Sequence, residues 1–185
     1  MTRPNGGDLL VETLRGLGVD TVFGIVSVHN LPLVEAVDRD LRFVPVRHEA
    51  AAVNAADGYA RATGRLGCAL TSTGTGAGNA AGSLIESLSS GTPVLHVTGQ
   101  IDSAYLGSGR GFIHETKDQL GMLRAVSAHA VTVTDAESAG DLLREAAARA
   151  LTAPHGPVSV EWPIDLQFAP QRLTGTPVPP PAAPA

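Results

Sequence analysis

Residues 67–89 read GCALTSTGTGAGNAAGSLIESLS. The stretch opens with a short apolar run at 67–72, passes through a glycine-rich turn at 73–79, and continues as a helix over 76–89. An apolar run without polar alternation is what a strand covered on both faces needs. Glycines at the turn let the helix start close to the strand and leave backbone N–H groups at its positive end. Strand, loop and helix in this order are the repeating unit of a parallel α/β sheet.

The same unit recurs on both sides. Strands are expected at 21–26, 42–47, 93–98, 130–133 and 158–162, although Pro45 weakens the second. Helices are expected at 8–17, 31–39, 49–63, 118–126 and 138–151. Leu9, Leu10, Leu14 and Leu17 fall on one face of the first, and Gly18 and Gly64 are placed to stop helices. Residues 100–112 read as a glycine-rich loop. The expectation is an α/β fold of three layers, with a six-stranded parallel sheet between helices. Ligands of such sheets bind beyond the carboxyl ends of the strands. Attention therefore falls on residues 24–30, His48-Glu49, residues 73–79 and Gly99 onward.

Composition narrows the function classes. A chain of 185 residues, 43% hydrophobic and 17% charged, builds one packed domain. We place it at 1–168, followed by a proline-rich linker at 169–185. Net charge is −5 and Lys117 is the one lysine, so there is no basic patch for nucleic acid. One cysteine, Cys68, rules out an intramolecular disulfide and a cysteine-rich zinc site. No apolar run approaches a membrane span, and the first residues lack a signal-peptide stretch, so a cytoplasmic protein is expected.

Each candidate site has an ordinary alternative. The turn at 73–79 can cradle phosphate, or its glycines can serve close packing. Its G-x-G-x-G spacing, its place after the third strand and the lack of an acid about 20 residues on speak against dinucleotide binding. Glu49, where a strand ends and a helix begins, is either a first-turn acid favoured by the helix dipole or a carboxylate in the crevice. His114-Glu115 has no partner at metal-ligand spacing. His29, His96, His129 and His155 stand singly. His96 reads as a hydrogen-bonded core residue and Cys68 as a small buried hydrophobe. The G-x-S-x-G elbow of serine hydrolases is absent.

Taken in order, the blocks say more. Residues 22–25 (VFGI), 47–52 (RHEAAA), 57–64 (DGYARATG), 71–82, 93–100 (PVLHVTGQ), 112–115 (FIHE) and 156–167 (GPVSVEWPIDLQ) resemble thiamine-diphosphate enzymes of the acetolactate synthase and 2-oxo-acid decarboxylase type. The resemblance covers nearly all of the chain before the proline-rich tail, and it is to the N-terminal domain, which binds the cofactor's aminopyrimidine. It implies that Glu49 hydrogen-bonds the ring nitrogen N1′ and so promotes loss of the thiazolium C2 proton. It implies that Gly24, Ile25, Val26 and Ser27, together with Thr73, Gly74 and Asn79, line the ring. His114 stands where the family commonly has glutamine, facing the reacting end, and is a candidate acid–base group.

The sequence departs from the pattern in two further places. Val26-Ser27 replaces the common Pro-Gly, and Thr75 replaces a proline. The family's Gly-Asp-Gly motif, which anchors diphosphate and Mg²⁺ in a separate domain, does not occur here. The resemblance therefore implies half of an active site, inactive alone, which pairs as a homodimer and works with a diphosphate-binding domain. Such a site would act on a 2-oxo acid, and a flavin (FAD) is possible in the full enzyme. Two origins fit: an excised N-terminal domain, or the small subunit of a split decarboxylase. Non-enzyme alternatives are a dimerisation module or a nucleotide-binding module.

Overall fold

A computed structural model of the chain describes residues 3–173 and 175. The elements run α1 (Gly6–Gly16), β1 (Thr21–Gly24), α2 (Leu31–Asp40), β2 (Arg42–Pro45), α3 (Glu49–Thr63), β3 (Gly67–Thr71), α4 (Thr75–Ser89) and β4 (Val94–Gln100). A 3₁₀ turn at Ser103–Tyr105 follows, then α5 (Gln119–Val126), β5 (His129–Thr132), α6 (Ala139–Leu151), β6 (Val158–Pro163) and α7 (Ile164–Phe168). The six strands form one sheet in the order β2-β1-β3-β4-β6-β5, every pairing parallel. This is the expected three-layer α/β/α architecture.

The two faces are built differently. On one, α1, α2 and α6 bury Leu9, Leu10, Leu14, Leu33, Val37 and Leu143 against Val22, Leu70, Val97 and Val160. On the other, α3, α4 and α5 bury Ala52, Val53, Ala56, Ala80, Leu84 and Leu123. The alanines let α3 lie very close to the sheet. Gly67 has no room for a side chain, because the Ala56 carbonyl occupies the place its Cβ would take.

Local chemistry sets the boundaries. Asn5 accepts the Gly7 and Asp8 N–H groups while Asp8 accepts the Asn5 N–H, so a capping box starts α1 two residues earlier than its leucines indicate. Leu17 is only partly buried, unlike Leu9, Leu10 and Leu14. Gly64 ends α3 in the left-handed conformation at φ 69°. Pro45 is tolerated because β2 is an edge strand. β1 stops at Gly24, short of the expected 26, and the Val26 beyond it is exposed. β4 runs on through Gln100, past the expected 98. The short α7 was not foreseen, since five residues carry too little periodicity to show. After α7 the chain turns back along α1, where the Gln171 N–H donates to the Pro4 carbonyl at 2.8 Å. Most of the expected linker, 174 and 176–185, lies outside the described residues.

Candidate active site

The strand order reverses at β1. From β1 the chain leaves through α2 to the edge strand β2, then returns through α3 to β3 on the other side. Such a switch point opens a crevice at the carboxyl ends of the two strands. The loops at that crevice are 25–30 and 72–76, which carry most of the expected site residues.

The first loop is held from below by Asn30, which is fully buried. Its side chain accepts the Ser27 N–H at 2.8 Å and donates to the carbonyls of Ile25 at 2.9 Å and Thr71 at 3.0 Å. The Ser72 hydroxyl donates to Ser27 Oγ at 2.7 Å, joining the two loops. Gly24 ends β1 and lies buried, with Leu70 and the Phe43 ring against the place a Cβ would occupy. Val26 and Val28 are left outward, 54% and 59% exposed.

Glu49 opens α3 directly after His48, whose Nδ1 caps the helix by accepting the Ala50 N–H at 3.2 Å. Glu49 is 7% exposed, and its carboxylate accepts one hydrogen bond, from Asn79 Nδ2 on α4 at 3.0 Å. A Cβ on Gly76 would come 2.7 Å from Glu49 Oε1 and 2.7 Å from Ser72 Cβ. Glycine at 76 thus makes the room in which the carboxylate sits. A buried acid held by one neutral amide keeps an oxygen free to share a proton with a ring nitrogen. The residues present therefore fit the aminopyrimidine that the resemblance implies.

The second loop rests on a polar network that the sequence reading missed. Gln119, the first residue of α5, accepts the Gly74 N–H at 2.6 Å and the Thr73 hydroxyl at 2.9 Å. Its amide donates to the Gly99 carbonyl at 3.1 Å and to Glu161 Oε2 at 3.0 Å. Glu161 also accepts from Gln100 at 3.2 Å and Thr132 at 2.6 Å. All these groups except Thr132 are buried. The fully buried Thr73 hydroxyl thus faces this network behind the loop. The one available signal was Glu161 itself, a charge inside the apolar run 158–162.

His114 lies across from Gly74, where its carbonyl occupies the place of an absent Cβ. Its φ of 65° makes it the one non-glycine residue with positive φ among those described. His29, read at first as one of the scattered histidines, packs beside it with ring centroids 5.7 Å apart. Burial holds His29 below the ordinary histidine range, and the neighbouring His114 ring acts in the same direction. Glu115 takes no part in this cluster. It accepts the N–H groups of Gly109, Gly111 and Phe112 at 2.7–3.0 Å and so closes its own loop.

His96 and Cys68 stand apart from the site. His96 is fully buried between Thr71 Oγ1 at 2.8 Å and Ser159 Oγ at 3.0 Å, and burial pushes its pKa down to about 4. Burial pushes the Cys68 thiol up to about 12. Among the described residues no cluster of three or more His, Cys, Asp or Glu could hold a metal ion. No helix among them is long and apolar enough to cross a membrane.

The profile of the family "Thiamine pyrophosphate enzyme, N-terminal TPP binding domain" matches residues 4–122. An acetolactate synthase large subunit from Haemophilus influenzae is 36% identical over 167 residues, covering 89% of this chain and 29% of that protein. A "probable 2-ketoarginine decarboxylase" from Pseudomonas aeruginosa is 36% identical over 165 residues, 89% of this chain and 30% of that protein. The chain thus spans just under a third of these relatives. In three dimensions it resembles the thiamine diphosphate-dependent 4-hydroxybenzoylformate decarboxylase of Rhodococcus jostii. The TM-score is 0.85 at 28% identity, over 93% of this chain and 32% of that one.

Proposed function

The chain belongs to the thiamine pyrophosphate enzymes, matching their N-terminal TPP binding domain, and on that premise we propose that it is the pyrimidine-binding half of a site acting on 2-oxo acids. The observation that carries this reading is Glu49: a buried carboxylate at the switch point, bonded once by Asn79 and given its space by Gly76. When bound, thiamine diphosphate supplies the nucleophilic carbon that adds to a carbonyl group. This chain's part is to hold a proton on or near Glu49 against a ring nitrogen, and to line the ring with the 24–27 and 73–79 loops. His114, at the same edge, is the candidate acid–base group for the substrate.

The remaining parts of the reaction belong, on this reading, to a diphosphate-binding domain in the same or another polypeptide. That domain would hold Mg²⁺, and any flavin would sit outside this chain as well. Whether the complete enzyme releases carbon dioxide or joins two acids is set by those parts. The cytoplasm is the compartment proposed for it.

We also propose a homodimer through α3 and α4. Gly58, Gly78 and Gly82 lie on their outer faces with nothing within 4 Å of the place a Cβ would take, and Ile85 beside them is 50% exposed. A glycine inside a helix costs about 1 kcal/mol relative to alanine. Among the described residues nothing offsets that cost, whereas a closely approaching partner helix would. Sedimentation equilibrium tests this; a monomer at every concentration refutes it.

The test of the main reading is calorimetric titration of thiamine diphosphate into the parent chain and Glu49→Gln. Binding by the parent, weakened tenfold or more in the variant, is expected. Equal binding by both refutes it. Saturable adenine-nucleotide binding at the 73–79 loop, with no response to thiamine diphosphate, would favour a nucleotide-binding module instead.

A further inference from the structure

Two imidazoles at the crevice have no role in holding the pyrimidine, and both are fixed with care. The backbone of His29 is locked on three sides. Its N–H donates to Ser27 Oγ at 3.2 Å, its carbonyl accepts from Gln167 Nε2 at 2.8 Å, and it presses against Gly99 where a side chain would otherwise be. His114 is fixed against Gly74 in the same manner, from the other side of the crevice, and holds a left-handed backbone to do so. That conformation costs a side-chain-bearing residue about 1–2 kcal/mol, so the fold commits energy to the position of this ring. The rings end 5.7 Å apart between centroids, inclined at 56°.

In each ring Nδ1 is buried and has no hydrogen-bond partner. A buried N–H without an acceptor is the rarest of orphaned groups, and a bare lone pair is the cheaper alternative. In the neutral form of each ring the proton therefore sits on Nε2, and Nε2 is the nitrogen each offers to a ligand. The pair presents two N–H donors and no accessible lone pair. Such a pair suits an anion rather than a metal ion, and no metal cluster surrounds it among the described residues. The first turn of α2, which begins two residues after His29, contains no acidic side chain, so the positive end of that helix is not neutralised there. His29 is buried to 8% exposure, and burial disfavours its charged form, so its neutral ring donates without a charge that would need burial.

We propose that His29 and His114 form a carboxylate seat: two Nε2–H donors, one from each side of the crevice, that each take one oxygen of the acid group of a 2-oxo acid. The identity of the acid rests on the proposed function; the seat itself needs only this chain. It makes His29 a substrate-binding residue. It also gives His114 a partner, which fixes the orientation of the acid beside the ring bound at Glu49.

The test is ¹⁵N-histidine NMR of the chain at pH 7.5, with pyruvate and methyl pyruvate as probes. Both rings should show the Nε2–H form before addition. Pyruvate should shift both rings saturably, with a dissociation constant on the order of 1 mM, which corresponds to about −4 kcal/mol. Methyl pyruvate, which lacks the anionic group, should not. His29→Gln and His114→Gln should each weaken pyruvate binding about tenfold. His29→Phe, which keeps a flat aromatic ring but no N–H donor, serves where glutamine disturbs the loop. A proton on Nδ1 of either ring, equal shifts with the ester, or unchanged binding in the folded variants would overturn the seat. Thiamine diphosphate is titrated in parallel. A pyruvate response with no cofactor response refutes the proposed function and leaves the seat. The converse refutes the seat alone.

Discussion

Replacing Gly76 by alanine separates the position of a carboxylate from the stability of the fold. The added Cβ would lie 2.7 Å from Glu49 Oε1 and 2.7 Å from Ser72 Cβ. Real Cβ atoms do not approach so closely, so the carboxylate must swing away and the 72–76 turn must yield slightly. Alanine gains up to about 1 kcal/mol over glycine in a helix. Overpacking costs about 1–3 kcal/mol. The net loss is about 0–3 kcal/mol, which a domain of about 5–15 kcal/mol survives. The loss at the site is larger in consequence. Glu49 gives up its hydrogen bond to Asn79 at 3.0 Å and the place proposed for it against the ring nitrogen. A hydrogen bond to a charged group is worth about 1.5–3 kcal/mol, or roughly 10- to 150-fold in affinity. Urea denaturation and thiamine diphosphate titration, run on the same preparation, read the two effects separately. A folded Gly76→Ala chain that binds the cofactor as tightly as its parent would refute the placement of Glu49 as the anchor.

Further outcomes follow from the interior. His96 has a folded pKa of about 4 against about 6.5 unfolded, so the unfolded chain binds the extra proton. The stability due to its neutral burial is fully present above pH 6.5 and is lost as pH falls towards 4, at most about 3 kcal/mol. His96→Asn should flatten that part of the stability–pH curve measured by urea titration. Cys68 should resist iodoacetamide at pH 8 in the native chain and react on unfolding, because burial keeps the thiol protonated. Alkylation at the rate of a free thiol would contradict its burial. Gln119→Leu leaves the Gly74 N–H without its acceptor and takes a donor from Glu161, and should destabilise the chain by about 3 kcal/mol. Loss of less than about 1 kcal/mol in urea would show that water replaces the network.

The sequence determined the layers because their signal is local. Apolar runs of strand length alternate with helical periodicity, and parallel pairing needs little beyond that alternation. Glu49 could be singled out because it sits where a strand ends and a helix begins, and Asn79 because the resemblance implied it, whereas the room that Gly76 makes for the carboxylate was not foreseen. The tertiary structure decided which ends meet. The β2-β1-β3 order places the switch point at Gly24 and Ser72, and no local pattern carries that order. It turned Gln119 and Glu161, over 40 residues apart in sequence, into one network behind the Gly74 loop. It brought His29 to His114 across 85 positions, when a lone histidine in a loop carries no sign of its partner. The cause is physical: strand and helix preferences depend on neighbours a few residues away, whereas hydrogen-bond partners and ring contacts depend on how distant segments close over a shared edge.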